Sequence, residues 1–183
     1  MAGAVKARLP SQGFPSWDGA ATRAAVTDSD APQTGRFVGR EHRFPIRVYF
    51  EDTDLSGVVY HANYLRYMER ARSDMLRLTG VDQRAAQDAG IGVYAVSEVT
   101  LRYLAPARVE DALVVVSRLL EIRAASSRIH QQVMRDGLIL AQGTVKAAFV
   151  SMAGRPVRQP KSWMAAFEEL VWQHDIVDEK GAE

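Results

Sequence analysis

Apolar and polar residues alternate where order first becomes legible in this chain. Phe44, Ile46, Val48 and Phe50 are separated by Pro45, Arg47 and Tyr49. A period of two predicts a half-buried strand beginning near His42. Pro45 near its start points to an edge or a strand beginning. A polar turn follows, Glu51-Asp52-Thr53-Asp54-Leu55-Ser56-Gly57. Then the period changes. Tyr64, Met68, Ala71, Met75 and Leu78 fall on one helical stripe, with Arg66, Arg70, Asp74 and Arg77 off it. This predicts a helix from His61 to Thr79, closed by Gly80 as a left-handed cap. At about 1.5 Å per residue such a helix is roughly 28 Å long, enough to run through a small core.

Asp82 caps a short helix over Gln83–Ala89. Strands follow at Gly92–Leu104, Ala112–Arg123, Arg128–Arg135 and Leu138–Ser151, and Asp136-Gly137 is a strong hairpin signal between the last two. Pro160 precedes a last amphipathic helix, Ser162–His174. A strand, a long helix, a short helix, four strands and a helix predict an α+β fold: one antiparallel five-stranded sheet with a face against the long helix. The other face is left exposed or covered by a partner.

Composition limits the chemistry. The chain has 183 residues and no cysteine, which excludes disulfide frameworks, zinc–thiolate sites and cysteine nucleophiles. A formal net charge of +1 opposes a main task of gripping nucleic acid. No apolar run approaches the roughly 18 residues of a membrane span. Residues 1–41 carry Pro10, Pro15 and Pro32, much glycine and alanine, and scattered large apolar residues. They read as a disordered extension without the apolar core of a signal peptide. The expected organisation is that extension, a folded domain at 42–160, and a C-terminal helix and tail at 161–183, with a cytoplasmic location.

The polar turn carries the chemistry. Glu51, Asp52 and Asp54 stand just before a helix start, whose free N–H groups and dipole favour an anion or a polarised carbonyl oxygen. Gly57 allows close backbone approach, and Val58, Val59 and Tyr60 supply an apolar wall. A carboxylate beside such donors has two parts that acyl transfer requires: a nucleophile or base, and a stabiliser of the oxyanion. Acids before a helix are also its ordinary capping partners. By the same token His61 is a cap or packed ring as readily as a base, and Tyr64 and Met68 read as core. Asp52-Thr53-Asp54 further resembles the aspartyl motif of haloacid-type phosphatases, but Ser56 and an antiparallel sheet oppose that reading. No Gly-x-Ser-x-Gly elbow is present.

The run from Arg47 to Tyr64, with Met68-Glu69-Arg70-Ala71-Arg72 and Arg102-Tyr103-Leu104-Ala105-Pro106-Ala107, resembles the signature of hotdog-fold acyl-CoA thioesterases. It is most similar to the Tol–Pal-associated YbgC branch of the 4-hydroxybenzoyl-CoA thioesterase family. The resemblance spans residues 43–160. It implies Asp54 as nucleophile on the thioester carbonyl or general base for water. The His61 backbone N–H would polarise the carbonyl, and the His61 ring, Gly57, Val58, Val59, Tyr60 and Tyr64 would shape the substrate site. Glu51 and Asp52 would fix the turn. Leu55 and Ser56 replace small residues of relatives, a change that narrows the acyl pocket or leaves activity unaffected. The family implies no metal or bound cofactor. Its substrate is an acyl-CoA of short, medium or aromatic acyl group, with Arg123 and Arg128 as candidates for its phosphates. It also implies a homodimer or homotetramer with sites at subunit interfaces. Two other readings stay open: a hotdog enoyl-CoA hydratase or dehydratase, and a non-catalytic module binding acyl carrier protein or an envelope complex.

Overall fold

Alternation in the first strand and helical periodicity after it are both realised, and they fix the frame of the site. A computed structural model describes residues 32–174 and residue 176, all discussed below. Elements follow as β1 (Arg36–Val38), β2 (Glu41–Arg47), a 3₁₀ turn (Phe50–Asp52), α1 (His61–Leu78), α2 (Gln83–Asp88), β3 (Val93–Tyr103), β4 (Ala112–Arg123), β5 (Ser126–Arg135), β6 (Leu138–Val150) and α3 (Lys161–Glu168). The strands form one antiparallel sheet in the order β1-β2-β4-β5-β6-β3. It has six strands rather than the five expected. The extra one is β1, assigned above to a disordered segment; the part of that expectation on residues 1–31 lies outside the described residues.

β1 is too short for periodicity to reveal. It is held from a distance. The Gly35 N–H donates to Asp74 Oδ2 at 2.8 Å, and His42 Nε2 lies 2.9 Å from the same oxygen. Arg77 donates to Asp74 Oδ1 at 2.9 Å. A side chain at Gly35 would stand 2.6 Å from the Arg43 carbonyl oxygen, so only glycine lets the chain pass here. Pro45 is placed as its missing N–H requires: β1 pairs only with residues 41–43 of β2, so Pro45 lies beside a free edge.

α1 buries Tyr64, Tyr67, Met68 and Ala71 against Ile46, Leu113, Val115 and Val133 of β2, β4 and β5, and Met75 in a second cluster with Leu119, Ile129 and Phe167. Leu78, expected on that stripe, is exposed. α1 has turned it outward at its last residue, before the Gly80 cap at φ +79°. Two other expectations fail for one reason, competition from backbone pairing. Phe50 leaves the strand for the 3₁₀ turn and is 85% exposed. α3 stops at Glu168 because Val171 bridges Leu119 and the Trp172 N–H donates to the Leu119 carbonyl at 2.7 Å. β3 is the far edge of the sheet, long and largely exposed. No helix among the described residues is long and apolar enough to cross a membrane.

Candidate active site

The chain leaves β2 through buried Val48 and builds a tight loop whose hydrogen bonds are nearly all local. Asp52 is buried and its Oδ2 accepts the Tyr49 N–H at 2.9 Å, so this carboxylate is spent on the turn. The Asp52 carbonyl accepts the Tyr60 N–H at 2.9 Å and Asn63 Nδ2 at 2.8 Å, which ties the loop to the first turn of α1. Thr53 bridges Val59, and the Asp54 N–H donates to the Val58 carbonyl at 3.0 Å. Asp54 to Gly57 is therefore the tip of a small hairpin, and Gly57 turns it at φ +75°.

At that tip Asp54 is fully exposed. Its Oδ1 accepts the Ser56 N–H at 2.8 Å and the Ser56 hydroxyl. The hydroxyl chiefly, then the amide, and to a lesser degree the charge of nearby His61, hold the Asp54 carboxyl below its ordinary value of 3.8. Asp54 is thus an anion at neutral pH. Among the described residues nothing donates to its Oδ2, which leaves one oxygen free to act.

His61 is the first residue of α1. Tyr60, at the N-cap, supplies no side-chain acceptor, and among the described residues the His61 N–H has no partner. An uncapped helix start therefore follows the loop that carries Asp54, and the His61 charge acts on that carboxylate. The His61 ring packs on Tyr60 at 4.3 Å between centroids and edge-on to Tyr103 at 6.4 Å, and the Tyr103 hydroxyl donates to the His61 carbonyl at 2.9 Å. Val59 is buried and pairs with Ala107, while Val58 bridges Arg108.

The remaining candidates divide. Tyr64 is 3% exposed and its hydroxyl accepts the Ala107 N–H at 2.9 Å; burial raises its pKa. It supports the wall from behind rather than facing a ligand. Leu55 is fully exposed. Glu51 is exposed at the turn. Arg123 and Arg128 do come together, with Lys146, around a polar pocket of about 290 Å³ on the sheet face away from α1. Arg123 is paired with Glu121 at 2.7 Å. This pocket is at the opposite end of β4 from the Asp54 loop, roughly 36 Å away along the strand at ~3.3 Å per residue. Sequence reasoning missed Asn63, Ser56 as a donor, and Tyr103. Ser56, two residues after Asp54, can be read as an Asx-type partner, whereas Asn63 and Tyr103 reach Asp52 and His61 only through the fold. Among the described residues no three His, Asp or Glu side chains converge to hold a metal ion.

A family model described as "Thioesterase-like superfamily" matches residues 48–167. The acyl-CoA thioesterase YbgC of Haemophilus influenzae is 39% identical over 128 residues, 69% of this chain and 94% of that protein. A crystal structure titled as a probable thioesterase from Bartonella henselae superposes with a TM-score of 0.62 at 32% identity, covering 66% of this chain and 99% of that one. A thioesterase from Thermus thermophilus, complexed with coenzyme A and Zn, superposes with a TM-score of 0.59 at 26% identity, covering 70% and 92%.

Proposed function

The chain belongs to the thioesterase-like superfamily, and from that premise we propose that it hydrolyses an acyl-CoA to the free acid and coenzyme A. Asp54 is the reacting carboxylate. It attacks the thioester carbonyl as nucleophile or draws a proton from the attacking water as general base. The His61 N–H at the start of α1 holds the carbonyl oxygen as negative charge develops there. A thiolate leaves more readily than an amine, so one carboxylate and oriented backbone donors suffice without a triad. The observation that carries this reading is the pairing of an ionised carboxylate, with one oxygen unbonded, and an uncapped helix start.

Two copies assemble through β3 in this reading. A long exposed edge strand invites pairing, and a twofold antiparallel pairing of β3 with itself turns the second copy end for end. That brings the second copy's Asp54 loop to the end of this sheet where Arg123, Arg128 and Lys146 stand. Arg123, Arg128 and Lys146 share their pocket with Glu98 and Glu121 on the face away from α1, so they are candidates for coenzyme A phosphates that reach round the edge of the sheet.

The test is thiol release from a panel of acyl-CoAs by the purified full chain, with loss of enoyl absorbance recorded on an enoyl-CoA. Thiol release with no water addition is expected. Water addition without thiol release would establish the hydratase reading instead, and binding of acyl carrier protein with neither reaction would establish the non-catalytic one.

A further inference from the structure

The residue that offers the carbonyl-holding N–H is itself held from two sides. On the loop side the Tyr60 N–H donates to the Asp52 carbonyl at 2.9 Å, and the Tyr60 carbonyl accepts the Asn63 N–H at 2.8 Å. A trans peptide is planar, and its C=O and N–H point opposite ways. Fixing the Tyr60 carbonyl therefore fixes the direction of the His61 N–H in the same peptide unit. Asn63 Nδ2 also donates to the Asp52 carbonyl, at 2.8 Å, which ties this peptide to the loop that carries Asp54. All of these partners are local, in the loop and the first turn of α1.

The second hold comes from another element. Tyr103 is the last residue of β3, and its hydroxyl donates to the His61 carbonyl at 2.9 Å. The N–H and the carbonyl of His61 flank one Cα, so this bond grips the far side of the same residue. Tyr103 is a firm post. Its backbone stands opposite Ala141 of β6, and the next two N–H groups, of Leu104 and Ala105, donate to the Leu140 carbonyl at 2.8 and 3.1 Å. Its ring lies edge-on to His61 at 6.4 Å and to Tyr64 at 5.6 Å between centroids, and Tyr64 is buried and fixed on the Ala107 N–H. Yet Tyr103 is 49% exposed. Water can replace a hydrogen bond made there, so the hydroxyl contributes little to folding. What sets it apart is the atom it holds.

We propose, resting on the thioesterase reading above, that Tyr103 is a positioning residue for the reaction: through the His61 carbonyl it keeps the His61 N–H aimed while negative charge builds on the substrate oxygen. Its hydroxyl touches neither substrate nor the reacting atoms. It acts by keeping the first turn of α1 from swinging. A donor stabilises a developing charge best when it needs no reorganisation, and a small misplacement costs rate steeply. The loop-side bonds persist without Tyr103, so its loss weakens the donor and does not abolish it.

The experiment measures kcat and KM by thiol release for Tyr103→Phe and Tyr103→Ala beside the wild-type full chain on one good acyl-CoA. Sedimentation, thermal unfolding and the ¹⁵N–¹H resonance of the His61 amide are recorded for each. Phe keeps the ring and its contacts with His61 and Tyr64 and removes only the hydrogen bond. Tyr103→Phe is expected to lower kcat about tenfold with KM within about twofold, to move the His61 resonance, and to leave mass and unfolding temperature unchanged. Tyr103→Ala is expected to lose at least as much kcat. A Tyr103→Phe kcat within about twofold of wild type, or an unmoved His61 resonance, overturns the inference and leaves the enzyme a thioesterase. So does a loss of kcat that comes with a changed mass or a lowered unfolding temperature, since the hydroxyl would then serve the fold or the assembly. No thiol release by the wild type on any acyl-CoA overturns the thioesterase reading, and the inference falls with it.

Discussion

Ser56 decides how Asp54 behaves. Its hydroxyl and N–H both bond one oxygen of the carboxylate, so the proton-bound form is disfavoured and Asp54 stays ionised well into acid. A group with a depressed pKa loses its charged state only as pH falls through that depressed value. Ser56→Ala removes the largest cause, so the Asp54 titration should move up in pH toward 3.8. A ¹³C titration of the Asp54 carboxyl in folded protein checks this, and an unmoved midpoint would show that the hydroxyl is not the cause. The place of Asp54, as an acid in the turn before a helix start, was legible because three acids precede that helix. The division of labour among those acids was not. Asp52 differs from Asp54 only in that the 3₁₀ turn buries it against the Tyr49 N–H, a contact that no spacing announces. Tyr64 was legible as core, and its buried hydroxyl on Ala107 supports that reading over a place in the substrate wall.

α1 is the element that joins core to site. Its buried stripe packs on the sheet, its first residue follows the Asp54 loop, and Asp74 near its end holds the strand β1. The Asp74 carboxylate is only 2% exposed and collects Gly35, His42, Arg77 and, at 3.3 Å, the Thr34 hydroxyl. Removing it leaves the Gly35 N–H and His42 buried without their acceptor. Asp74→Ala should therefore lower stability by about 3 kcal/mol, read as a shift of the urea midpoint at unchanged slope. A loss under about 0.5 kcal/mol would mean that β1 does not depend on it. Long periodic elements were legible: α1, β3, β4, β5 and β6 fall within two residues of their expected bounds. So was the Asp136-Gly137 hairpin, whose residues take φ of +51° and +86°. β1 and the end of α3 were not. Both are decided by partners far along the chain, Asp74 and Leu119, and local pattern carries no trace of them.

The described residues form the hotdog α+β fold of the family, with one strand more than the sequence periodicity announces. Its exposed parts are informative. β3 is an open edge, and Tyr49, Phe50, Leu55 and Tyr60 expose apolar side chains around the Asp54 loop. The proposed dimer would use that edge. Sedimentation should give a mass of at least twice the 20.3 kDa chain, with activity falling as dilution separates the copies. A fully active monomer would contradict that arrangement. Composition alone reached little of this. A net charge of +1 argues against nucleic acid as the main partner but says nothing of a local grouping of Arg123, Arg128 and Lys146, which the sheet assembles from β4, β5 and β6 beside Glu98 and Glu121.

The central claim is that Asp54 carries the reaction. The direct measurement is kcat for Asp54→Asn beside wild type on one good acyl-CoA, with sedimentation and thermal unfolding of both. Asn keeps the shape and the bond from Ser56 but removes the charge. The account predicts a loss of about 100-fold or more in kcat with mass and unfolding temperature unchanged. A variant within about threefold of wild type would contradict it.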